Sequence, residues 1–171
     1  MRTRIIVLLA AACAASALAG GALASGHSAS RQHSQHRSLL DRELFAVLSG
    51  RNEVGTDNRR GAGDPDGRGS FTATVDRNGG TTQLCFGITI KNVDTPVTAH
   101  IHKAKPNSTG PIVVPLTPPS SGDPGASSGC VTVDPALANA ILKNPHKYYA
   151  NVHTAAFPGG AVRGQLFGKS R

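Results

Sequence analysis
The stretch that most constrains how this chain can fold is Lys147 to Leu166, K-Y-Y-A-N-V-H-T-A-A-F-P-G-G-A-V-R-G-Q-L. Two short strand patterns flank Phe157-Pro158-Gly159-Gly160. There proline presets one φ and the two glycines are free to take positive φ, as a reversal between strands requires. The segment therefore reads as a β-hairpin, with His153 at the end of its first strand and Arg163 early in its second. A further strand pattern, Thr98-Ala99-His100-Ile101-His102, puts both histidines on one face and Ile101 on the other, because successive side chains alternate across a strand. His100, His102 and His153 form the one cluster in this sequence that site chemistry would draw on.

The first residues read as an address rather than as part of the fold. Arg2 and Arg4, an apolar and small-residue run from Ile5 to Ala19, and A-x-A sites ending at Ala19 and Ala24 make a secretory signal peptide. The run is short and dominated by alanine, whereas a membrane-spanning helix needs about 20 strongly apolar residues. Residues 1–24 are accordingly assigned to the signal peptide, cleaved after Ala19 or Ala24. The product is expected to be secreted or otherwise extracytoplasmic, without a transmembrane segment. Residues 25–39 are rich in Ser, His, Gln and Arg without apolar periodicity and read as a disordered polar, basic tether. Removing 24 residues from 171 leaves 147, which suits a single domain over residues 40–171.

Export also sets the expectation for the cysteines. Cys13 leaves with the signal peptide, and Cys85 and Cys130 remain where oxidation is the default, so a Cys85–Cys130 disulfide is expected, with two separate buried thiols as the alternative. The formal charge of +8 falls to +6 once Arg2 and Arg4 are removed. The remaining basic residues are scattered among Ser, Gln and His rather than set on one face with interleaved aromatics. No nucleic-acid partner is implied, and a protein or an anionic surface polymer is the kind of partner left open.

Within the domain, Glu43 to Leu48 reads as a mostly buried strand, followed by a polar, Gly-rich loop from Arg51 to Arg68. Phe71, Ala73 and Val75 alternate on one face of the next strand, and Asn78-Gly79-Gly80 marks a turn. Gln83 to Ile90 returns with Leu84, Phe86, Ile88 and Ile90 inward, a phase that sends Cys85 to the outside. Short strands are expected over Thr98–His102, Ile112–Leu116 and Gly129–Val133, with Pro118 to Gly129 as a loop. A single helix is predicted, with Asp134 as N-cap, Pro135 at the first helical position and an end before Asn144-Pro145. About eight short strands and one short helix imply an all-β fold, an antiparallel β-sandwich or Greek-key barrel.

Four stretches, in this order, carry a family resemblance: Leu48-Ser49-Gly50-Arg51-Asn52-Glu53-Val54, Ala99-His100-Ile101-His102, Gly110-Pro111-Ile112-Val113, and Tyr149 to Thr154 continuing through Pro158 to Leu166. On these the chain from about Leu44 to Leu166 resembles the CHRD domain, the repeat first named in chordin and found in many exported bacterial proteins. The resemblance implies a β-sandwich or barrel of immunoglobulin-like or superoxide-dismutase-like topology. It says more about fold than about activity.

Two chemistries compete for the histidines. Two imidazoles at i and i+2 of one strand and a third from a neighbouring strand end can hold copper or zinc. His-x-His with a distant histidine and an arginine also looks like the copper half of a copper–zinc superoxide dismutase, with His100, His102 and His153 as ligands and Arg163 guiding the anion. A bridging histidine and a zinc loop with further His and Asp ligands are missing, since His146, Asp123 and Asp134 are the only other histidine and carboxylates between His102 and His153. The competing reading makes the histidines hydrogen-bonding braces of the barrel end, and makes Arg163 a structural residue against carbonyls or Glu53. No G-x-S-x-G elbow, H-E-x-x-H motif, P-loop or dinucleotide fingerprint occurs. No catalytic residues are assigned and no cofactor is demanded. The sequence points to a non-catalytic exported binding or structural module, with metal binding as the alternative and a copper-only superoxide dismutase-like enzyme as its extreme.

Overall fold
The computed structural model describes residues 43–77, 80–120 and 123–168. The expected signal peptide and tether lie outside the described residues. The strands are β1 (Glu43–Ser49), β2 (Arg68–Asp76), β3 (Gln83–Lys91), β4 (Pro96–Lys103), β5 (Ile112–Leu116), β6 (Gly125–Thr132), β7 (Tyr148–Thr154), β8 (Val162–Gln165) and β9 (Phe167–Gly168). Among the described residues one α-helix, α1 (Pro135–Lys143), lies between β6 and β7. The strands pair antiparallel in the order β5-β4-β7-β8-β1-β2-β3-β6, with β9 also on β1. The sheet curls into a nearly closed barrel. Its free edges meet where the Ser127 hydroxyl, on β6, donates to the Thr117 carbonyl just past β5 at 2.8 Å.

Alternation makes the core. Leu44, Ala46 and Leu48 of β1, Phe71, Ala73 and Val75 of β2, and Leu84, Phe86, Ile88 and Ile90 of β3 point inward and are buried. From the other side, Ala99 and Ile101 of β4, Ala150 and Val152 of β7, and Val162 of β8 close on them. Burial of one such side chain contributes about 1.5–3 kcal/mol, so the period-2 pattern selects this register over a one-residue slip. Helix α1 is capped as its sequence predicts, the Asp134 carboxylate accepting from the backbone N–H of Ala136 and Leu137 at 2.8 and 3.0 Å. It lays Ala138 and Ile141 into the same core.

Three details differ from the sequence expectation. β1 is only half buried: Phe45 and Val47 face outward, with Phe45 stacked on Phe167 of β9, because each strand of a barrel offers one face to the core. β6 starts at Gly125, inside the expected Pro118–Gly129 loop. Its Gly-Ala-Ser-Ser-Gly run has no apolar alternation, and its pairing with β3 supplies the strand. The β7–β8 link spans residues 155–161 and is a longer loop than a two-residue hairpin turn. The Cys85–Cys130 disulfide is formed, joining directly opposed residues of β3 and β6 on the outside of the barrel.

Candidate metal site
The outer face of β4, β7 and β8 is polar and, apart from the exposed Thr98, buried or half-buried. His100 and His102 of β4 stand beside Asn151 and Tyr149 of β7 in the pairing register, and His153 lies opposite Thr98. Arg163 of β8 lies opposite Asn151 and Ser49. Alternation thus gathers all three histidines, Tyr149, Asn151 and Arg163 on the side away from Ile101 and Val152. Two loops cover that side. The β4–β5 loop comes down over β8, where Gln165 Nε2 donates to the Ala104 carbonyl at 2.8 Å and Arg163 Nη2 to the Ser108 carbonyl at 2.9 Å. The β1–β2 loop brings Glu53, tied to the β7–β8 link where Asp64 N–H donates to the Ala161 carbonyl at 2.8 Å. Tyr149, Asn151, Glu53 and Arg163 are consequently each 2% exposed.

The three imidazoles converge. One nitrogen from each lies within 4.8 Å of the others, and His100 Nδ1 stands 3.4 Å from His153 Nε2. A metal roughly 2.0–2.1 Å from two imidazole nitrogens in tetrahedral geometry spaces them about 3.4 Å apart, so this pair already has the required separation. His102 and His153 are oriented by their far nitrogens. His102 Nδ1 donates to the Gly110 carbonyl at 2.8 Å, and His153 Nδ1 to the Pro158 carbonyl at 2.9 Å. A backbone carbonyl on one nitrogen fixes the tautomer that leaves a lone pair on the other, the usual outer support of a metal-bound histidine. His102 Nε2 is buried and without a hydrogen-bond partner, although the residue is only 8% exposed. Buried polar atoms are normally satisfied, and a metal ion would satisfy this one.

Electrostatics keep the rings ready to ligate. Burial, then the neighbouring His153 and His102, hold the His100 pKa down at about 4. Burial also lowers that of His102, against the opposing pull of the Gly110 carbonyl. Only neutral imidazole binds a metal, and both groups are neutral at physiological pH.

Behind His102 lies a second buried polar layer. The His102 and Tyr149 rings stack with centroids 4.7 Å apart, and the Arg163 guanidinium sits 3.4 Å from the Tyr149 centroid. Because β7 lies between β4 and β8, Tyr149 separates the arginine from the histidines. Arg163 Nη1 stands 3.9 Å from Glu53 Oε1, too far for a hydrogen bond, and both Nη1 and Glu53 Oε2 lack partners. Burial raises the Glu53 pKa against the Val54 N–H, Arg163 and Asn151, and burial also lowers that of Arg163. Room for Glu53 exists because residue 160 is glycine: at φ +135° it takes a conformation other residues avoid, and a Cβ there would clash with the Glu53 carboxylate. In the sequence, Asn151 and Gly110 stand only within the family stretches and Tyr149 reads, with Tyr148, as a packing residue; none of the three is assigned to the site there. The i, i+2 step back from His153 would have flagged Asn151 and Tyr149.

A nearly closed antiparallel barrel with three converging imidazoles on its outer face defines the class of this protein. The CHRD domain model matches residues 44–166, and the chain belongs to that family. No curated protein and no solved structure matches it. Among the described residues, no helix is long and apolar enough to cross a membrane.

Proposed function
We infer that this is an exported CHRD module that holds a copper or zinc ion through His100, His102 and His153, in a binding or structural rather than a catalytic role. One observation carries the reading: one nitrogen of each of the three imidazoles lies within 4.8 Å of the others, with His102 Nδ1 tied to the Gly110 carbonyl so that Nε2, beside the Asn151 amide, keeps a lone pair. His153, held in the same way by Pro158, and His100 complete a three-nitrogen set. Bound there, the metal would supply Lewis acidity and a rigid tie between β4 and the β7–β8 hairpin. The protein's own part is to hold His100 and His102 neutral and to fix His102 and His153 through backbone carbonyls. Arg163 supports bracing rather than anion guidance to the metal, since Tyr149 stands between it and the imidazoles and its Nη2 is occupied by the Ser108 carbonyl. Export is supported by the signal-peptide pattern of residues 1–24 and by the disulfide on the barrel exterior.

The test is metal content. Residues 25–171, loaded with copper or zinc and dialysed, should carry one equivalent by elemental analysis, and His102→Ala and His153→Ala should each carry none. Absence of stoichiometric metal in the unsubstituted chain would refute the reading. A superoxide-consumption assay on the loaded protein is expected to show no turnover above free-metal controls.

A further inference from the structure
On the far side of Tyr149 from the histidines lies a pocket of about 220 Å³ walled by Asn52, Arg60, Pro106, Asn107, Arg163 and Gln165. The geometry points to this pocket as a second binding site, for a small tetrahedral oxyanion of the phosphate class, free or carried on a larger molecule. Two guanidinium groups meet here from separate elements, Arg163 from β8 and Arg60 from the β1–β2 loop, and the wall contains no carboxylate. Arg60 donates through Nη2 to Asn52 Oδ1, which holds it at the rim. Arg163 is 2% exposed, and its Nη1 has no hydrogen-bond partner, leaving charged donor capacity unused inside the protein. The carboxylate nearest to it, Glu53, is itself buried and stands 3.9 Å away without a hydrogen bond.

The charge balance asks for an anion. Burial lowers the Arg163 pKa, and the nearby Arg60 charge pushes the same way, against Tyr149 and Glu53. Two cations within each other's field and one buried carboxylate leave a net positive pocket. Guanidinium forks match the oxygens of phosphate groups geometrically, and charge-assisted hydrogen bonds of this kind are the strong ones. A tetrahedral oxyanion presents acceptors in several directions at once, which suits donors arriving from β8 and from the loop. The Asn52 carbonyl is already occupied by Arg60, and Gln165 Nε2 donates to the Ala104 and His146 carbonyls, so these two shape the wall. The specific charge comes from the arginines.

The site is independent of the metal reading, and the experiment separates them. Residues 25–171 are titrated with sodium phosphate, and with glycerol 3-phosphate as an ester probe, by calorimetry and thermal melting, against sodium chloride at matched ionic strength. Saturable binding with a rise in melting temperature is expected for phosphate and not for chloride. The exposed Arg60→Gln is expected to fold normally and to weaken phosphate binding at least about tenfold, the size of one charge-assisted hydrogen bond. His153→Ala should keep phosphate binding while losing metal. Tighter binding of the ester than of free phosphate would place the natural anion on a larger molecule. Phosphate that acts no differently from chloride, Arg60→Gln that binds like the unsubstituted chain, or binding lost in His153→Ala would each overturn the proposal.

Discussion

Replacing Arg163 by methionine tests whether the buried polar layer braces the site. The substitution keeps most of the side-chain volume and removes the charge. It deletes the Nη2 donation to the Ser108 carbonyl at 2.9 Å, worth about 1.5–3 kcal/mol as a charge-assisted bond. It deletes the stack on Tyr149, 3.4 Å from the ring centroid, worth about 2 kcal/mol when desolvated. It also strands the Glu53 carboxylate, and breaking a buried pair by removing one partner costs about 3–5 kcal/mol in total. These contributions overlap, so 3–5 kcal/mol is the expected loss, seen as a fall of about 1.5–2.5 M in the urea midpoint with an unchanged slope. The sign with pH follows from Glu53, whose folded pKa is already raised above 4.5 by burial. A group raised in the folded state contributes stability that is full below the unfolded value and lost as pH rises through the folded one. Removing Arg163 raises it further, so the Glu53 share of the deficit should be lost near pH 4 and full at pH 7, while the share from the Ser108 bond and the Tyr149 stack persists at both. The double variant Arg163→Met/Glu53→Gln should be more stable at pH 7 than additivity predicts by at least about 1 kcal/mol. A loss under about 1 kcal/mol at pH 7, or no coupling to Glu53, would refute the reasoning.

Three further outcomes follow from the same geometry. His100, with its pKa held at about 4 against 6.5 unfolded, binds fewer protons folded than unfolded across that interval. Stability should therefore fall as pH drops from 6.5 towards 4, more for the metal-free unsubstituted chain than for His100→Gln, and equal acid sensitivity in urea titrations would contradict this. Removing the disulfide as Cys85→Ala/Cys130→Ala opens a loop with a sequence separation of 45 and should cost about 4 kcal/mol of unfolding free energy, read by urea titration. Gly160→Ala should cost about 1–3 kcal/mol from the backbone alone at φ +135°. It should also displace Glu53 and weaken metal retention, which a spectroscopic copper titration would read.

Much of the architecture is legible along the chain because barrel strands carry a period of 2. Leu84, Phe86, Ile88 and Ile90 announce their face, and by the same count Cys85 announces the outside, where it meets Cys130. The helix is legible from Asp134 and Pro135, since capping is local chemistry. β6 is not, because Gly125 to Gly129 has no pattern of its own and takes its strand from β3. β1 misleads for the opposite reason: Glu43 to Leu48 is apolar on both faces, and only the stacked Phe45–Phe167 pair shows that one face lies outside the core.

By itself, the sequence determined an all-β domain, its helix and the membership of His100, His102 and His153 in one candidate cluster, because alternation and capping depend on neighbours a few residues away; the Cys85–Cys130 disulfide, expected from export, was settled by the β3–β6 register. Tertiary structure decided which nitrogens face one another, that Gly110 and Pro158 orient two of the rings, and that Tyr149 separates Arg163 from the histidines. It also placed Arg60 and Arg163, 103 positions apart in the chain, around one pocket. These facts rest on strand register and on two loops folding over an outer face, contacts between segments far apart in the chain that no local pattern encodes.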